Sequence, residues 1–435
     1  MSDLLRLLDA RRDPEGVWLA LEEMAPPGLP ELVVERAAAI VEDVRERGDE
    51  AVVEYTRQFD WPAATVEGLV VGEDEIEAAF DEVDREWLRA LRRAKDNLYR
   101  YHERQAPRSW LQPFDGLLLG QHVKPVAAAG LHVPGRTAPL PSTVIHSAVP
   151  AAVAGVPRLV MVSPPRQDGT VSPERLVAAS ECGISEVYRI GGAQAIAALA
   201  FGTETIQPVD KVVGPGNPYA TAAKQLVSGI VGVDSPAGPS EAVIVTDGSV
   251  EAELVAVDLL TQAEHTGDNL VLLLSTDEAL VEGVIEQLDE LLNRLDRDEI
   301  IRRSLEDCGA AVLVESVQQA MDLVNDIAPE HLQLLVEDPF GWLSQVQACG
   351  AVFLGPSSPV PLGDYAAGPS HVLPTGRAAR FASGLSVLDF VTFTSVISAS
   401  AAALEGLAED VIVLAEAEGL DAHAEALRYR LRRQR

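Results

Sequence analysis

From residue 158 onward the sequence alternates short apolar runs of β type with longer runs of helical period, and this alternation leaves few folds open. The first series runs 158–162 then 174–181, 187–190 then 193–201, and 211–213 then 219–227. A second follows at 242–245, 251–264, 270–274, 278–295, 311–314, 317–327 and 352–354. Parallel neighbours in a sheet need a crossover, and a helix laid on the sheet supplies it, so each series predicts a parallel sheet covered by helices. The expected fold class is α/β: two tandem Rossmann-like, incompletely doubly wound domains with helical segments at both ends. Helical period marks 32–59 and 76–101, and again 402–414 and 421–432. The expected division is a helical region over 1–123 packed on the core, α/β domains over 124–240 and 241–378, and a helical segment over 379–435. The Gly/Pro/Ser-rich stretch 355–376 is too long and irregular for a simple connector, and long ordered loops of this kind commonly carry function.

Composition removes several classes of function. With a formal charge of -33 and only Lys95, Lys124, Lys211 and Lys224 as lysines, a nucleic-acid partner is not expected. The acids are spread through helix-like stretches such as 73–86, which fits a solvated, salt-tolerant surface better than a site for one basic partner. No run of eighteen apolar residues occurs, and residues 1–13 carry acids and arginines where a signal peptide needs a basic start and an apolar centre. A soluble, cytoplasmic protein that does not enter a membrane is expected. Cys182, Cys308 and Cys349 are too few and too far apart for a disulfide framework or a thiolate cluster, so any metal would take nitrogen and oxygen ligands.

Read alone, the residues leave several chemistries open. Gly214-Pro215-Gly216-Asn217-Pro218-Tyr219 has Tyr where a dinucleotide fingerprint has its third Gly, and Gly191-Gly192-Ala193-Gln194 is a similar turn before a helix. Each fits a tight strand-to-helix turn as well as a nucleotide site. Gln262 and His265, three apart in a run of helical period, project from one face and could offer oxygen and nitrogen to one ion. Asp364 and His371 fall in the long loop, and His423 stands beside Glu416 and Glu418 near the C-terminus. Such a set suits zinc without thiolates, although spacing alone equally allows ordinary polar surface. Glu330-His331 pairs a carboxylate with a base of near-neutral pKa, unless the two side chains point apart. A zinc hydrolase with Glu330 activating water is one alternative, but His-Glu-x-x-His is absent.

Taken in order, these segments resemble the signature blocks of the histidinol dehydrogenases. The blocks are Gly191-Gly192-Ala193-Gln194-Ala195, Val213-Gly214-Pro215-Gly216-Asn217, Ala237-Gly238-Pro239-Ser240-Glu241 and Gln262-Ala263-Glu264-His265. They continue with Ala328-Pro329-Glu330-His331-Leu332, Gly363-Asp364-Tyr365, His371-Val372-Leu373-Pro374-Thr375 and the closing run from Glu416 to Ala424.

The resemblance implies NAD-dependent, four-electron oxidation of L-histidinol to L-histidine through bound L-histidinaldehyde, the last steps of histidine synthesis. It implies one Zn2+ per subunit held by Gln262, His265, Asp364 and His423, with the substrate's imidazole and amine completing the coordination. Ser240, His371 and Glu418 resemble further substrate contacts, alongside the four metal ligands and His331. His331 would accept the alcohol proton, and Glu330 would activate water for the second oxidation. Gln194 and Asn217 match NAD-binding positions. His132 stands at a third NAD-binding position, where the family usually has Tyr, and Arg136 where a second Gly is common. The resemblance also implies an intertwined homodimer whose C-terminal segment, with Glu418 and His423, completes the partner's active site. A paralogue oxidising another alcohol is the nearest rival, left open by His132 and Arg136. In the expected division, 124–240 is the NAD side, 241–378 carries the zinc and catalytic residues, and 379–435 serves dimerisation.

Overall fold

The structure is a computed structural model that describes residues 4–24, 28–135, 139–235 and 238–434; Arg136 and Ala237, singled out above, lie outside the described residues. The chain divides into two compact units, Met1–Gln105 with Ala127–Phe390, and Ala106–Val126 with Val391–Arg435. In chain order the strands are β1 (Arg6–Asp9), β2 (Trp110–Phe114), β3 (Leu117–Pro125), β4 (Ala128–His132), β5 (Arg158–Val162), β6 (Glu186–Tyr188) and β7 (Lys211–Val213). They continue as β8 (Gly232–Val233), β9 (Glu241–Thr246), β10 (Leu270–Ser275), β11 (Gly309–Leu313), β12 (His331–Leu335), β13 (Ala351–Leu354) and β14 (Val391–Ala399).

The first unit holds two parallel sheets of the same topology. One has the order β6-β5-β4-β7-β8, which counted from its own first strand is 3-2-1-4-5, as in doubly wound dinucleotide-binding folds. The other, β1-β11-β10-β9-β12-β13, repeats that order from β9 to β13 and adds β1 beside β11. The expected pair of incomplete Rossmann-like domains is therefore present.

Residue alternation explains why the second sheet is stable with both faces covered. Val243, Val245, Leu270, Leu272 and Leu274 enter one core, while Ile244, Val271 and Leu273 enter the core on the opposite face. Helices seal both faces of the sheets. The Pro141–Ala154 helix starts with Pro in its first turn and ends at Gly155, whose φ of 85° makes the left-handed cap.

The second unit is a three-stranded antiparallel sheet, β14-β3-β2, with the Ala401–Ala417 and Asp421–Gln434 helices. β14 and β3 pair over nine residues, from Val391 opposite Pro125 to Ala399 opposite Leu117. Helices dominate both ends of the chain as expected, but β1, β2, β3 and β14 lie in stretches read as helical. The strand signal in β14 is the β-branched sequence VTFTSVISA, mostly exposed and so without an apolar run. β12 was also passed over, because Ala328-Pro329 reads as a helix end and hides the strand that begins two residues later.

Leu272 is fully buried in the central strand β10. Leu272→Ala is expected to lower stability by about 2–5 kcal/mol, seen as a lower urea midpoint; an unchanged midpoint would mean that the two-faced packing of this sheet does not hold it together.

Candidate active site

The site is built on β9 and β12, which are adjacent and parallel, with His331 opposite Ala242 in register. Glu241, the first residue of β9, holds both members of the acid–imidazole pair through its backbone. Its N–H donates to Glu330 Oε2 at 3.1 Å, and its carbonyl faces His331 Nδ1 at 3.2 Å. Neighbouring residues commonly diverge, yet here His331 Nδ1 lies 3.5 Å from Glu330 Oε2. A carbonyl oxygen only accepts, so Nδ1 carries the ring proton and Nε2 keeps its lone pair. Nε2 is buried and has no hydrogen-bond partner among the described residues; Asp364 Oδ1 lies 3.8 Å from it.

Burial acts on the two groups in opposite directions. Desolvation lowers the His331 pKa to about 4, since a buried imidazolium is costly. The same effect pushes the Glu330 carboxyl well above its usual range, against the opposing hydrogen bonds from the Glu241 N–H and Ser240. His331 is thereby kept neutral, and Glu330 is made a stronger base than a solvated carboxylate.

The long loop supplies Asp364 and His371, as expected. Asp364 sits on the short Val360–Tyr365 helix, and burial raises its pKa to about 7. His371 Nδ1 donates to the Asp364 carbonyl at 2.8 Å, which ties the two residues together. His331, Asp364 and His371 line one cavity of about 390 Å³, together with apolar residues that include Phe353, Leu362 and Leu373.

Gln262 lies in the last turn of the Ala252–Ala263 helix, almost fully buried, with both amide atoms unpartnered among the described residues. A buried primary amide with nothing to bond is costly, so its surroundings are incomplete without a ligand. The helix does not extend to His265 as its period predicted: it stops at Ala263, and a turn through Gly267, at φ 85°, follows. The Val360–Tyr365 helix, which carries Asp364, packs against the Ala252–Ala263 helix, which carries Gln262. Glu418 and His423 belong to the second unit, at the end of one helix and the start of the next, and both are exposed. Among the described residues no group of three or more His, Cys, Asp or Glu is arranged to hold a metal ion.

The dinucleotide candidates gather at the carboxyl ends of the other sheet. His132 ends β4, and its Nδ1 donates to the Pro215 carbonyl at 2.7 Å, leaving a buried Nε2 unpartnered among the described residues. A Cβ on Gly214 would lie 2.2 Å from the His132 carbonyl, so only Gly fits there, at φ 110°. Asn217 caps the Pro218–Val227 helix by accepting from the Ala220 N–H at 3.0 Å, and Gln194 is buried in the first turn of the Gly192–Phe201 helix. Two contributors escaped the sequence reading. Glu241 was seen only as part of a block, and the Asp258–Gln333 bond of 2.5 Å, which joins the Gln262 helix to the His331 strand, leaves no trace in spacing.

Tandem 3-2-1-4-5 sheets with a buried acid–base pair on one and glycine turns on the other define an α/β enzyme of the dehydrogenase type. The family model for histidinol dehydrogenase matches residues 30–431. Histidinol dehydrogenase of Moorella thermoacetica is 48% identical over 399 residues, covering 92% of this chain and 94% of the relative. That of Heliobacterium mobile is 46% identical over 397 residues, covering 91% and 93%. The crystal structure of histidinol dehydrogenase from Elizabethkingia anophelis superposes with a TM-score of 0.94 at 33% identity, covering 100% of this chain and 99% of that one. The chain belongs to the histidinol dehydrogenase family.

Glu241 gives a test of the electrostatics. Its Oε1 accepts from the Gly376 N–H at 3.0 Å, its Oε2 is unpartnered among the described residues, and burial raises its pKa to about 7. An acid whose folded pKa is raised binds more protons folded than unfolded, so its penalty is absent below the ordinary carboxylate pKa and complete above about 7. Glu241→Gln keeps the acceptor and removes the charge. It is expected to match the parent at pH 5 and to be more stable by about 1–3 kcal/mol at pH 8; urea midpoints at the two pH values check this, and equal differences at both would refute it.

Proposed function

We propose that the protein catalyses the NAD-dependent oxidation of L-histidinol to L-histidine through bound L-histidinaldehyde, the last steps of histidine synthesis. The observation that carries this reading is the free Nε2 lone pair of His331, buried beside Glu330 and facing the Asp364 side of the cavity. In this reading NAD, when bound, accepts a hydride in each of the two oxidations. Gln194, Asn217 and His132 contact it at the carboxyl edge of the first sheet, His132 through Nε2.

The donor set fits a zinc ion in chemistry. Gln262 has a buried amide without partners, His265 follows it by three residues, and Asp364 is a carboxylate whose ionisation burial opposes and a cation would favour. Gln262, His265, Asp364 and His423 would hold it. Such an ion supplies a Lewis-acid anchor that fixes the substrate's imidazole and amine. Glu418 and His423 are assigned to the partner's site in a homodimer, with 379–435 as the dimerisation segment.

The chain's own groups then divide the work. His331 accepts the alcohol proton at Nε2 as the carbinol hydride departs, which requires the neutral tautomer that the Glu241 carbonyl selects. Glu330, its basicity raised by burial, takes a proton from the water that attacks the aldehyde. Ser240 and His371 contact the substrate, and apolar side chains including Phe353 and Leu373 line the cavity beside His331 and His371. We assign 124–240 to NAD, 241–378 to zinc and catalysis, and the protein to the cytoplasm. Among the described residues no helix is long and apolar enough to cross a membrane.

Two outcomes test the proposal. NADH yield should be two per histidinol consumed and should vanish with a chelator; no NADH from histidinol, with NADH from another alcohol, would replace the substrate. His331→Asn should cut turnover by about 10²–10⁴-fold with folding intact, and an unchanged rate would remove His331 as the base.

A further inference from the structure

We propose that His146 is the positioning residue for the loop that carries Asp364 and His371, acting from the other sheet's domain. The inference rests on the reading of those two residues as part of the active site. His146 lies on the Pro141–Ala154 helix and is fully buried. Its Nδ1 accepts the backbone N–H of His371 at 2.9 Å. Since Nδ1 accepts, the ring proton is on Nε2, which is directed at the Tyr365 carbonyl at 3.4 Å. One neutral imidazole therefore grips both ends of the 365–371 segment.

Two further interactions reinforce the grip. The His146 ring lies flat under that of His371, with centroids 4.0 Å apart and planes 16° from parallel. The Ser370 hydroxyl donates to the His146 carbonyl at 3.0 Å. Because the His371 ring in turn donates to the Asp364 carbonyl, the placement of both residues passes through His146. A residue that only filled space would leave the Tyr365 carbonyl and the His371 N–H to other partners. Here a single side chain serves both, and losing it leaves the N–H of the half-buried His371 and the Tyr365 carbonyl without this partner.

The test compares three substitutions in the full-length, zinc-loaded protein. Asn places an oxygen near the position of Nδ1 and keeps the shorter bond, Gln places a nitrogen near Nε2 and keeps the longer one, and Leu keeps neither. For His146→Leu, zinc dissociation and the KM for histidinol should each rise about tenfold, with the KM for NAD within about twofold. His146→Asn should recover most of both losses and His146→Gln less. Deuterium exchange at the His371 amide should follow the same ranking, fastest in Leu. Leu values within about twofold of the parent for both zinc and histidinol, an Asn variant no better than Leu, or a parallel rise in the KM for NAD would each overturn the proposal. If the Leu variant does not fold, Asn against Gln decides, and an equal or reversed order refutes it. A parent protein that fails to oxidise histidinol would sink the functional reading alone, because the exchange ranking tests His146 without any substrate.

Discussion

The parallel pairing of β9 with β12 is the constraint on which the site depends. In the observed register the backbone of Glu241 meets Glu330 on one side and the ring of His331 on the other. A slip of one residue would send each strand's side chains to the opposite core, breaking these bonds and the packing on both faces. The sheet core and the acid–base pair are therefore specified by the same register, and the apolar face stabilises what the buried polar groups cost. The Glu241 carboxylate extends the arrangement to the Gly376 N–H, near the far end of the long loop.

Burial then sets the chemistry that this geometry permits. A histidine in water near pH 7 is partly protonated, and a glutamate is almost fully ionised. At the β9–β12 edge both preferences are reversed in sense, the imidazole being held neutral and the carboxyl made harder to ionise. On His331 the neutral form leaves the Nε2 lone pair free to accept a proton.

The architecture was legible in the sequence wherever strands are buried on both faces, since an apolar run bounded by helical period has one economical reading. β14 and β3 were not, because exposed antiparallel strands carry polar residues and neither an apolar run nor clean alternation. Glu330, His331, Asp364 and His371 were named from motif and order, and three of them line one cavity. What the sequence could not convey is long-range hydrogen bonding. Glu241 reaches Glu330 across 89 positions and His146 reaches His371 across 225, and no local pattern records either.

The two sheets share a strand order, but the residues proposed for NAD and for zinc lie at opposite edges, and helix electrostatics gives a reason. At the carboxyl edge of the first sheet, Gln194 and Asn217 stand at the N-termini of the Gly192–Phe201 and Pro218–Val227 helices, where free N–H groups and the positive end of the dipole favour anions. That end suits the phosphates of a dinucleotide. In the second sheet the Glu330–His331 pair lies at the amino ends of β9 and β12, where the connecting Ala252–Ala263 helix arrives by its C-terminus. Carbonyls and the negative end of the dipole favour a cation there, and Gln262 occupies that last turn. Under the proposed function, duplicated topology used at opposite edges sorts an anionic cofactor from a cationic one before any side chain is chosen.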